Sequence, residues 1–212
     1  MLCGETETVL RDRAIAPAER ERAASQLDEL RRLARIVDGL TLLAKADAGL
    51  VALTLTPVHL DDLTRDLYAD TQLLAQASGL AVELSACEPA TVPGDPHRLR
   101  QLLLNLADNA VKYNQPGGAI DMALRRLDGA AQFTIANTGP GIPPANLPRV
   151  CDRFFRGDPA HGTEVEGCGL GLSIAQWIVA AHGGSLHIAS VPTQRTTVTV
   201  RLPLAAPALA PA

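Results

Sequence analysis

The stretch LRQLLLNLADNAVKY, residues 99–113, decides how the rest of this 212-residue chain is interpreted. Its apolar residues recur at three- and four-residue steps, which predicts a helix with one face on a core. A second set of residues recurs at i, i+4 and i+7 and lies on a different face of the same helix. This set consists of two carboxamides and one ammonium group, those of Asn105, Asn109 and Lys112. The polar face is either an ordinary solvated surface or a row of groups for a hydrated cation and its attached phosphates.

Two glycine-rich motifs downstream favour the second interpretation. NTGPGI (residues 137–142) follows an apolar run typical of a strand, and GCGLG (residues 167–171) opens a second apolar helix. RFFR (residues 153–156) lies between them. These elements in this order resemble the ATP-binding domain of sensor histidine kinases, which belongs to the ATPase class shared with type II topoisomerases, Hsp90 chaperones and MutL. The resemblance extends from residue 20 to residue 203, and it implies ATP and Mg²⁺ as ligands and histidine kinase activity in a two-component system.

Composition excludes several other classes of protein. The net charge of -4 gives no general attraction to nucleic acid or to anionic lipid. No run of 18 apolar residues is present, and the polar start MLCGETETVLRDR has no signal-peptide pattern. The four cysteines show no metal-ligand spacing and no disulfide framework, which predicts free thiols. We therefore expect a cytoplasmic location without a nucleic-acid partner or a membrane segment in this chain.

The chain is predicted to contain two folded parts and a tail. Residues 1–50 carry an apolar seam typical of a coiled coil or helix bundle, although a single amphipathic helix packed on its own domain is the alternative. The resemblance identifies this part as a partial dimerisation hairpin, and it implies a homodimer through the N-terminal helices. Residues 51–204 are predicted to form an α+β fold, an α/β sandwich in which helices cover one face of a mixed sheet. Residues 205–212 are predicted to be a disordered tail.

Local signals place several elements inside the second part. The alternating residues 51–56 predict a first strand that Pro57 closes. Asp95 is expected to cap the central helix. The Asp128-Gly129 pair predicts a tight hairpin between two apolar strands, and Gly183 is expected to end the last helix.

The chain departs from the family in its phosphate acceptor. The family's acceptor histidine lies in an H-[ED]-x-[RK]-x-P context, and none of the five histidines of this chain has it. The resemblance therefore implies nucleotide-binding machinery that acts on an acceptor-histidine helix in trans, with a cognate response regulator as partner. Autophosphorylation by this chain alone is not expected.

The resemblance assigns roles to the polar face of the central helix. Asn109 is the expected Mg²⁺ ligand, because Mg²⁺ prefers oxygen ligands and keeps waters while it bridges phosphates. Asn105 would order a bound water or the polyphosphate, and Lys112 would neutralise phosphate charge. Tyr113 is either a packing surface for adenine or an ordinary aromatic at a helix end. ATPase branches of the class have a glutamate general base at position 105, so a carboxamide there favours phosphoryl transfer over hydrolysis.

The first glycine-rich motif, NTGPGI at residues 137–142, is called the first glycine box below. It is expected to hold the nucleotide base. The family has Asp where Asn137 stands, and the Asn oxygen can still accept a hydrogen bond from the exocyclic amine of adenine while its nitrogen needs another partner. Asn occurs at this position in family members similar to heavy-metal sensors. Gly139 and Gly141 would let the backbone approach the base, and Ile142 would line the base pocket. Thr196 or Thr197 is expected to bond the Asn137 side chain.

Residues 143–169 correspond to the mobile lid of the family. Arg156 matches the family arginine that reaches the terminal phosphate. Phe154 and Phe155 are expected to anchor the lid, while Cys151 replaces a third phenylalanine. The second glycine-rich motif, GCGLG at residues 167–171, is called the second glycine box below. It would bind phosphates through backbone N–H groups at the start of a helix. Its expected contributors are Gly167, Gly169, Leu170 and Gly171.

A non-enzymatic alternative stays open at this point. The residues at 137 and 151 and the missing acceptor also fit a degenerate nucleotide-binding module that acts as a non-catalytic partner or inhibitor of a kinase. An ATPase motor or chaperone domain is disfavoured by Asn105.

Overall fold

A computed structural model describes residues 17–156 and 168–205. The chain divides into two compact units, Met1–Val51 and Ala52–Ala212. The first 16 residues of the predicted helical part, Gly167 and most of the predicted tail lie outside the described residues.

Helix α1 (Pro17–Asp47) forms most of the described part of the first unit. Its predicted seam is only partly covered: Leu27 is 5% exposed, whereas Val37 is 60% and Leu40 is 36% exposed. An apolar stripe therefore remains open on a helix of 31 residues.

The second unit is built on a mixed five-stranded sheet of order β2-β4-β5-β7-β6. Strand β2 pairs parallel with β4, and the other neighbours pair antiparallel. A separate two-stranded sheet joins β1 to β3. The strands are β1 (Thr56–His59), β2 (Ala81–Cys87), β3 (Thr91–Gly94), β4 (Ala119–Leu127), β5 (Ala130–Thr138), β6 (Ser185–Val191) and β7 (Arg195–Pro203).

Three α-helices cover one face of this sheet: α2 (Leu60–Gln76), α3 (Pro96–Lys112) and α4 (Gly171–Ala181). Alternate strand residues such as Met122 and Phe133 are fully buried, while their neighbours on the other face stay partly exposed. A short 3₁₀ helix, Leu147–Arg149, follows β5. The predicted mixed sheet with helices on one face is confirmed.

The central helix α3 buries the stripe that its sequence predicts. The members of this stripe are each at most 4% exposed: Leu99, Leu102, Leu103, Leu106 and Ala110. Asp95 caps the helix, since its carboxylate accepts from the backbone N–H groups of His97 and Arg98 at 3.0 and 3.1 Å. Pro96 occupies the first helical position, where its missing N–H costs nothing. The predicted cap is confirmed.

The first predicted strand is wrong in its position. Residues 51–55 form no strand, and the backbone N–H of Thr54 donates instead to the Asp95 carboxylate at 3.3 Å. Strand β1 runs through Pro57, which lies opposite Pro93 in the two-stranded sheet. Proline is tolerated there because both strands of a two-stranded sheet are edges and need only half of their ladder bonds.

The predicted hairpin between β4 and β5 is confirmed. Asp128 and Gly129 have φ values of 50° and 73°. Two successive positive φ angles define the tight turn whose twist matches that of the flanking strands. The paired strands lead from this turn to Asn137 at the opposite end of β5.

Candidate nucleotide-binding site

The polar face of α3 meets the first residue of α4. Asn105 Nδ2 donates to the carbonyl oxygen of Gly171 at 3.3 Å. The side chain of Asn109 faces the same residue, because a Cβ on Gly171 would lie 3.7 Å from Asn109 Nδ2. The two predicted carboxamides and the start of the second glycine-box helix are therefore brought together.

Asn109 carries an unsatisfied polar group in this position. Its Nδ2 is buried and has no hydrogen-bond partner among the described residues. A buried polar group without a partner lowers the stability of the fold unless a bound ligand or water supplies the missing hydrogen bond. Rotation of the amide by half a turn exchanges its nitrogen and oxygen, so the same side chain can offer an oxygen to a cation.

The donor set at this place fits a magnesium ion that arrives with a polyphosphate. The described residues include no group of three or more His, Cys, Asp or Glu side chains able to hold a metal ion alone. Mg²⁺ in nucleotide sites takes few protein ligands and keeps waters and phosphate oxygens. A lone carboxamide oxygen from Asn109 suits that kind of coordination.

Lys112 lies at the far end of the polar face and is paired. Its Nζ is 2.6 Å from Asp108 Oδ2, one helical turn back. The Lys112 side chain is 25% and the Asp108 side chain 54% exposed. The ammonium retains two further donor protons, so it can contact an anion without leaving Asp108.

Asn137 forms the opposite end of the site. It is 8% exposed, and its Nδ2 donates to two backbone carbonyls, those of Tyr113 at 3.0 Å and Thr138 at 2.8 Å. These bonds supply the partners that the amide nitrogen requires. Its Oδ1 accepts no hydrogen bond from any described residue, so this oxygen is available as an acceptor.

The first glycine box is held where only glycine fits. Gly139 has φ +148°, and a Cβ on it would overlap the carbonyl oxygen of Tyr113. Gly141 has φ +70°, and its Cβ would lie 2.8 Å from the backbone of Pro192. The box therefore packs directly on the end of α3 and on the β6–β7 turn.

The predicted bond from Thr196 or Thr197 to Asn137 is wrong. Thr196 pairs with Asn137 across β5 and β7, yet within the described residues its hydroxyl bonds Ser190 Oγ at 2.9 Å. Ser190 Oγ in turn accepts the backbone N–H of Ile142 at 2.8 Å. The Thr196 hydroxyl is thereby connected to the Ile142 backbone through Ser190 rather than to Asn137.

Tyr113 contributes its backbone to the site. It follows the last residue of α3, and its carbonyl oxygen is the acceptor for Asn137. The residue is 46% exposed, so its ring is not part of the core. Both interpretations of the ring, as an adenine surface or a helix-end aromatic, remain predictions.

The second glycine box is hydrogen-bonded to the RFFR segment at residues 153–156, which is called the phenylalanine box. The backbone N–H of Phe154 donates to the carbonyl of Gly169 at 3.0 Å. A Cβ on Gly169, whose φ is +70°, would lie 2.8 Å from the Phe154 carbonyl carbon. Leu170 is 1% exposed and Gly171 begins α4. Gly167, the first residue of this box, lies outside the described residues.

The phenylalanine box differs from its prediction as an anchor. Phe154 is 55% exposed and has φ +61°, so its ring does not anchor the segment. Phe155 is half-buried, with the Arg149 guanidinium 5.0 Å from its ring centroid. Arg156 is half-buried, and its contact with a terminal phosphate stays a prediction.

Cys151 is a half-buried free thiol. Burial, together with the charge of Asp152, raises the pKa of this thiol. The other described cysteines, Cys87 and Cys168, are also free, so the prediction of free thiols holds across the described residues.

Sequence reasoning missed three polar residues around Asn137 and the NTGPGI motif. Asn114 and Thr138 bond each other at 2.7 Å, and Ser190 holds the Ile142 backbone. Asn114 and Thr138 directly follow Tyr113 and Asn137 in the chain, and this adjacency to motif residues was the only available signal. No sequence motif marks Ser190 as a site residue, because only the pairing of strands brings it next to the first glycine box.

The described residues include no helix long and apolar enough to cross a membrane.

Comparison with known proteins agrees with this geometry. A family model described as "Histidine kinase-, DNA gyrase B-, and HSP90-like ATPase" matches residues 94–206. The sensor protein CzcS of Cupriavidus metallidurans is 34% identical over 203 residues, which are 96% of this chain and 42% of that protein. The sensor histidine kinase CusS of Escherichia coli O157:H7 is 36% identical over 166 residues, 78% of this chain and 34% of that protein. The chain thus spans less than half the length of these relatives.

Two solved structures extend the agreement to the backbone. Full-length ShkA in complex with AMPPNP superposes with a TM-score of 0.79 at 26% identity, covering 98% of this chain and 46% of that one. The mycobacterial sensor histidine kinase MprB gives a TM-score of 0.61 at 31% identity, covering 70% of this chain and 98% of that one. Fold, site and matched residues all point to one family, and the chain belongs to the histidine kinase-, DNA gyrase B- and HSP90-like ATPases.

Proposed function

We propose that this chain is the Mg-ATP-binding catalytic portion of a bacterial sensor histidine kinase. It would transfer the γ-phosphoryl group of ATP to a histidine on another polypeptide, and a response regulator would receive the phosphoryl group from there. One observation carries the proposal: a single helix, α3, connects the paired carboxamides at Gly171 to the Tyr113 carbonyl that orients Asn137. The phosphate end and the base end of the proposed nucleotide site would thus be held by one rigid element.

The base end would recognise adenine through Asn137. Its Nδ2 is occupied by two carbonyls and its Oδ1 is left as an acceptor. The exocyclic amine of adenine is a donor that matches this oxygen. Ile142, whose backbone is held by Ser190, would line the same pocket.

The phosphate end would be formed by α3 and the second glycine box. Asn105, Asn109 and Lys112 would contact the polyphosphate and its cation, and Arg156 would reach the transferring group. The N–H groups at the start of α4 would seat phosphate oxygens beside Gly169, Leu170 and Gly171. When bound, Mg²⁺ would neutralise phosphate charge and fix the polyphosphate's conformation, with Asn109 as its protein ligand.

The chemistry at position 105 favours transfer to a nucleophile over hydrolysis. A carboxamide cannot accept a proton from water at neutral pH, so Asn105 cannot serve as a general base. An imidazole nucleophile brings its own lone pair and does not need one. We therefore expect slow ATP hydrolysis and faster transfer to a histidine.

The acceptor histidine would come from another polypeptide. Of the chain's own histidines, His182 is 6% exposed and is hydrogen-bonded on both ring nitrogens, and none has the family's acceptor context. The open stripe on α1 around Val37 would pair with a second helix, which supports a homodimer. If the chain is the catalytic portion of a membrane sensor kinase, it would act on the cytoplasmic side of the membrane.

The test mixes the full chain with a separate fragment that carries an acceptor helix, together with γ-labelled ATP and Mg²⁺. We expect label on the acceptor histidine and none on this chain alone. Nucleotide binding is measured in the same samples by calorimetry. Saturation with ATP without any label on the acceptor would contradict the kinase proposal, and absence of ATP binding would contradict the nucleotide site itself.

A further inference from the structure

Asn114 and Thr138 form a closed hydrogen-bonded pair at the base end of the site. Thr138 Oγ1 donates to Asn114 Oδ1 at 2.7 Å. Asn114 Nδ2 donates to the carbonyls of Ala110 and Ala119, both at 3.2 Å. The N–H of Ala119 donates to Thr138 Oγ1 at 2.8 Å. The pair therefore ties together the last turn of α3, the first residue of β4 and the last residue of β5.

The surrounding backbone is shaped to admit this pair. A Cβ on Gly118 would overlap both Asn114 Oδ1 and Thr138 Oγ1. The backbone N–H of Gln115 gives the Asn114 oxygen a second donor at 2.9 Å. The loop between α3 and β4 thus leaves room for the pair and supplies its hydrogen-bond partners.

The pair is adjacent to the two carbonyls that orient Asn137. One belongs to Tyr113, the residue before Asn114, and the other belongs to Thr138 itself. A carboxamide is ambivalent: with its oxygen forward it accepts from an amine, and with its nitrogen forward it donates to a carbonyl. Rotation of Asn137 would place its oxygen against two carbonyl oxygens, so only the first orientation is stable while both carbonyls stay in place.

We propose that the Asn114–Thr138 pair determines nucleobase specificity by fixing the Tyr113 and Thr138 carbonyls, which lock Asn137 as an acceptor for adenine. Guanine presents a carbonyl oxygen where adenine presents its amine, and the locked Asn137 oxygen repels it. This inference rests on the proposed function, in which Asn137 faces the base. Asn114 and Thr138 are positioning residues, since they act through Asn137.

The experiment measures dissociation constants of Mg-ATP and Mg-GTP on the full chain by calorimetry, for the natural sequence and for Thr138→Val. We expect the natural chain to prefer ATP and the variant to lose about tenfold of that preference, because valine removes the hydrogen bonds of the Thr138 hydroxyl with Asn114 and with the Ala119 N–H. Most of the loss should come from weaker ATP binding, with GTP binding unchanged or stronger. Thr134→Val is the matched control, because Thr134 lies on the same strand and the same face of the sheet, and it should leave both constants unchanged.

Two further variants separate specificity from folding. Thr138→Ser keeps the hydroxyl and should keep the ATP preference, and Asn114→Ala should lower it as Thr138→Val does. Equal weakening of ATP and GTP, or an unchanged ratio in a folded variant, would overturn the inference and leave the proposed function standing. A natural chain that binds both nucleotides equally would also overturn it, whereas one that binds neither would overturn the proposed function.

Discussion

The backbone N–H of Asp95 donates to Nε2 of His182 at 3.0 Å, which links the start of α3 to the end of α4. The other ring nitrogen of His182 lies 2.7 Å from the carbonyl oxygen of Ile178. Since a carbonyl can only accept, Nδ1 carries the proton and Nε2 is the acceptor. The two helices that would supply the phosphate end of the proposed site are therefore fixed to each other through a neutral imidazole at the end remote from Asn109.

We expect His182→Leu to destabilise the second unit. The substitution leaves the partly buried N–H of Asp95 without its acceptor, which lowers the free energy of unfolding by about 1 kcal/mol. Urea unfolding followed by circular dichroism measures this loss. His187→Leu is the control, because His187 is exposed on β6 and its loss should change the free energy of unfolding by less than about 0.5 kcal/mol. Equal stability of the two variants would contradict the assigned role of the imidazole.

Acid should destabilise the chain through two partly buried carboxylates. Burial alone would raise the pKa of Asp95, but backbone N–H donors from Arg98, Thr54 and His97 outweigh it and lower this pKa below its ordinary value of 3.8. The pKa of Asp61 is lowered in the same way: burial opposes the shift, while the Ala90 N–H and Arg65 produce it. A carboxyl with a depressed folded-state pKa stabilises the fold fully above its unfolded value, and this stabilisation is lost as pH falls through the folded value.

The free energy of unfolding should therefore fall as the pH decreases below 3.8. Asp95→Asn keeps an oxygen for the cap but cannot ionise, so the variant should be less stable than the natural chain at pH 6 and closer to it at pH 3. Urea midpoints across this range measure the difference. A constant gap between variant and natural chain at every pH would show that Asp95 does not contribute through its charge.

Much of the fold could be predicted because its signals are local. The stripe on α3, the Asp95 cap and the Asp128-Gly129 turn each depend on residues within one or two turns of chain. Strand β1 was misplaced for a related reason. Alternation in residues 51–56 resembles a strand, but whether a segment forms one depends on its partner, and β3 lies more than 30 residues away in sequence.

The residues of the candidate site could be proposed from the sequence, whereas their hydrogen bonds could not. Asn105, Asn109 and Asn137 were identified from spacing and motif order, since those are properties of the sequence. The partners of Asn137 could not be derived, because Tyr113 is 24 residues away in sequence. Every residue has a backbone carbonyl, so residue type does not indicate which carbonyl is the partner. Thr196 was assigned to Asn137 from its family position, whereas the side-chain geometry favoured Ser190.

We expect Asn109→Ala to weaken ATP binding only when magnesium is present. The variant removes the proposed metal ligand but leaves the base end of the site intact. Loss of one metal-coordinating oxygen should reduce ATP affinity by roughly 10–100-fold in Mg²⁺. Calorimetric titrations with ATP in excess Mg²⁺ and in EDTA separate the two conditions, and the variant and natural chain should bind alike in EDTA.

The control for this titration is Leu104→Gln on the same helix. Leu104 is 37% exposed and lies away from the polar face, so its substitution should leave both titrations unchanged. Equal weakening by Asn109→Ala with and without Mg²⁺ would indicate that Asn109 acts through helix contacts rather than through the cation.

Charge on the open stripe of α1 should abolish self-association. Val37 is 60% and Leu40 is 36% exposed, and burying these exposed fractions on both helices of a dimer would contribute about 3–6 kcal/mol before the entropic cost of association. Val37→Asp places a charge in that seam, and a buried charge without a partner is strongly unfavourable. Sedimentation velocity should show a dimer for the natural chain and a monomer for this variant. Arg35→Glu changes a charge about 160° around the helix from Val37, so it should remain a dimer; a monomer at all concentrations for the natural chain would contradict the proposed homodimer.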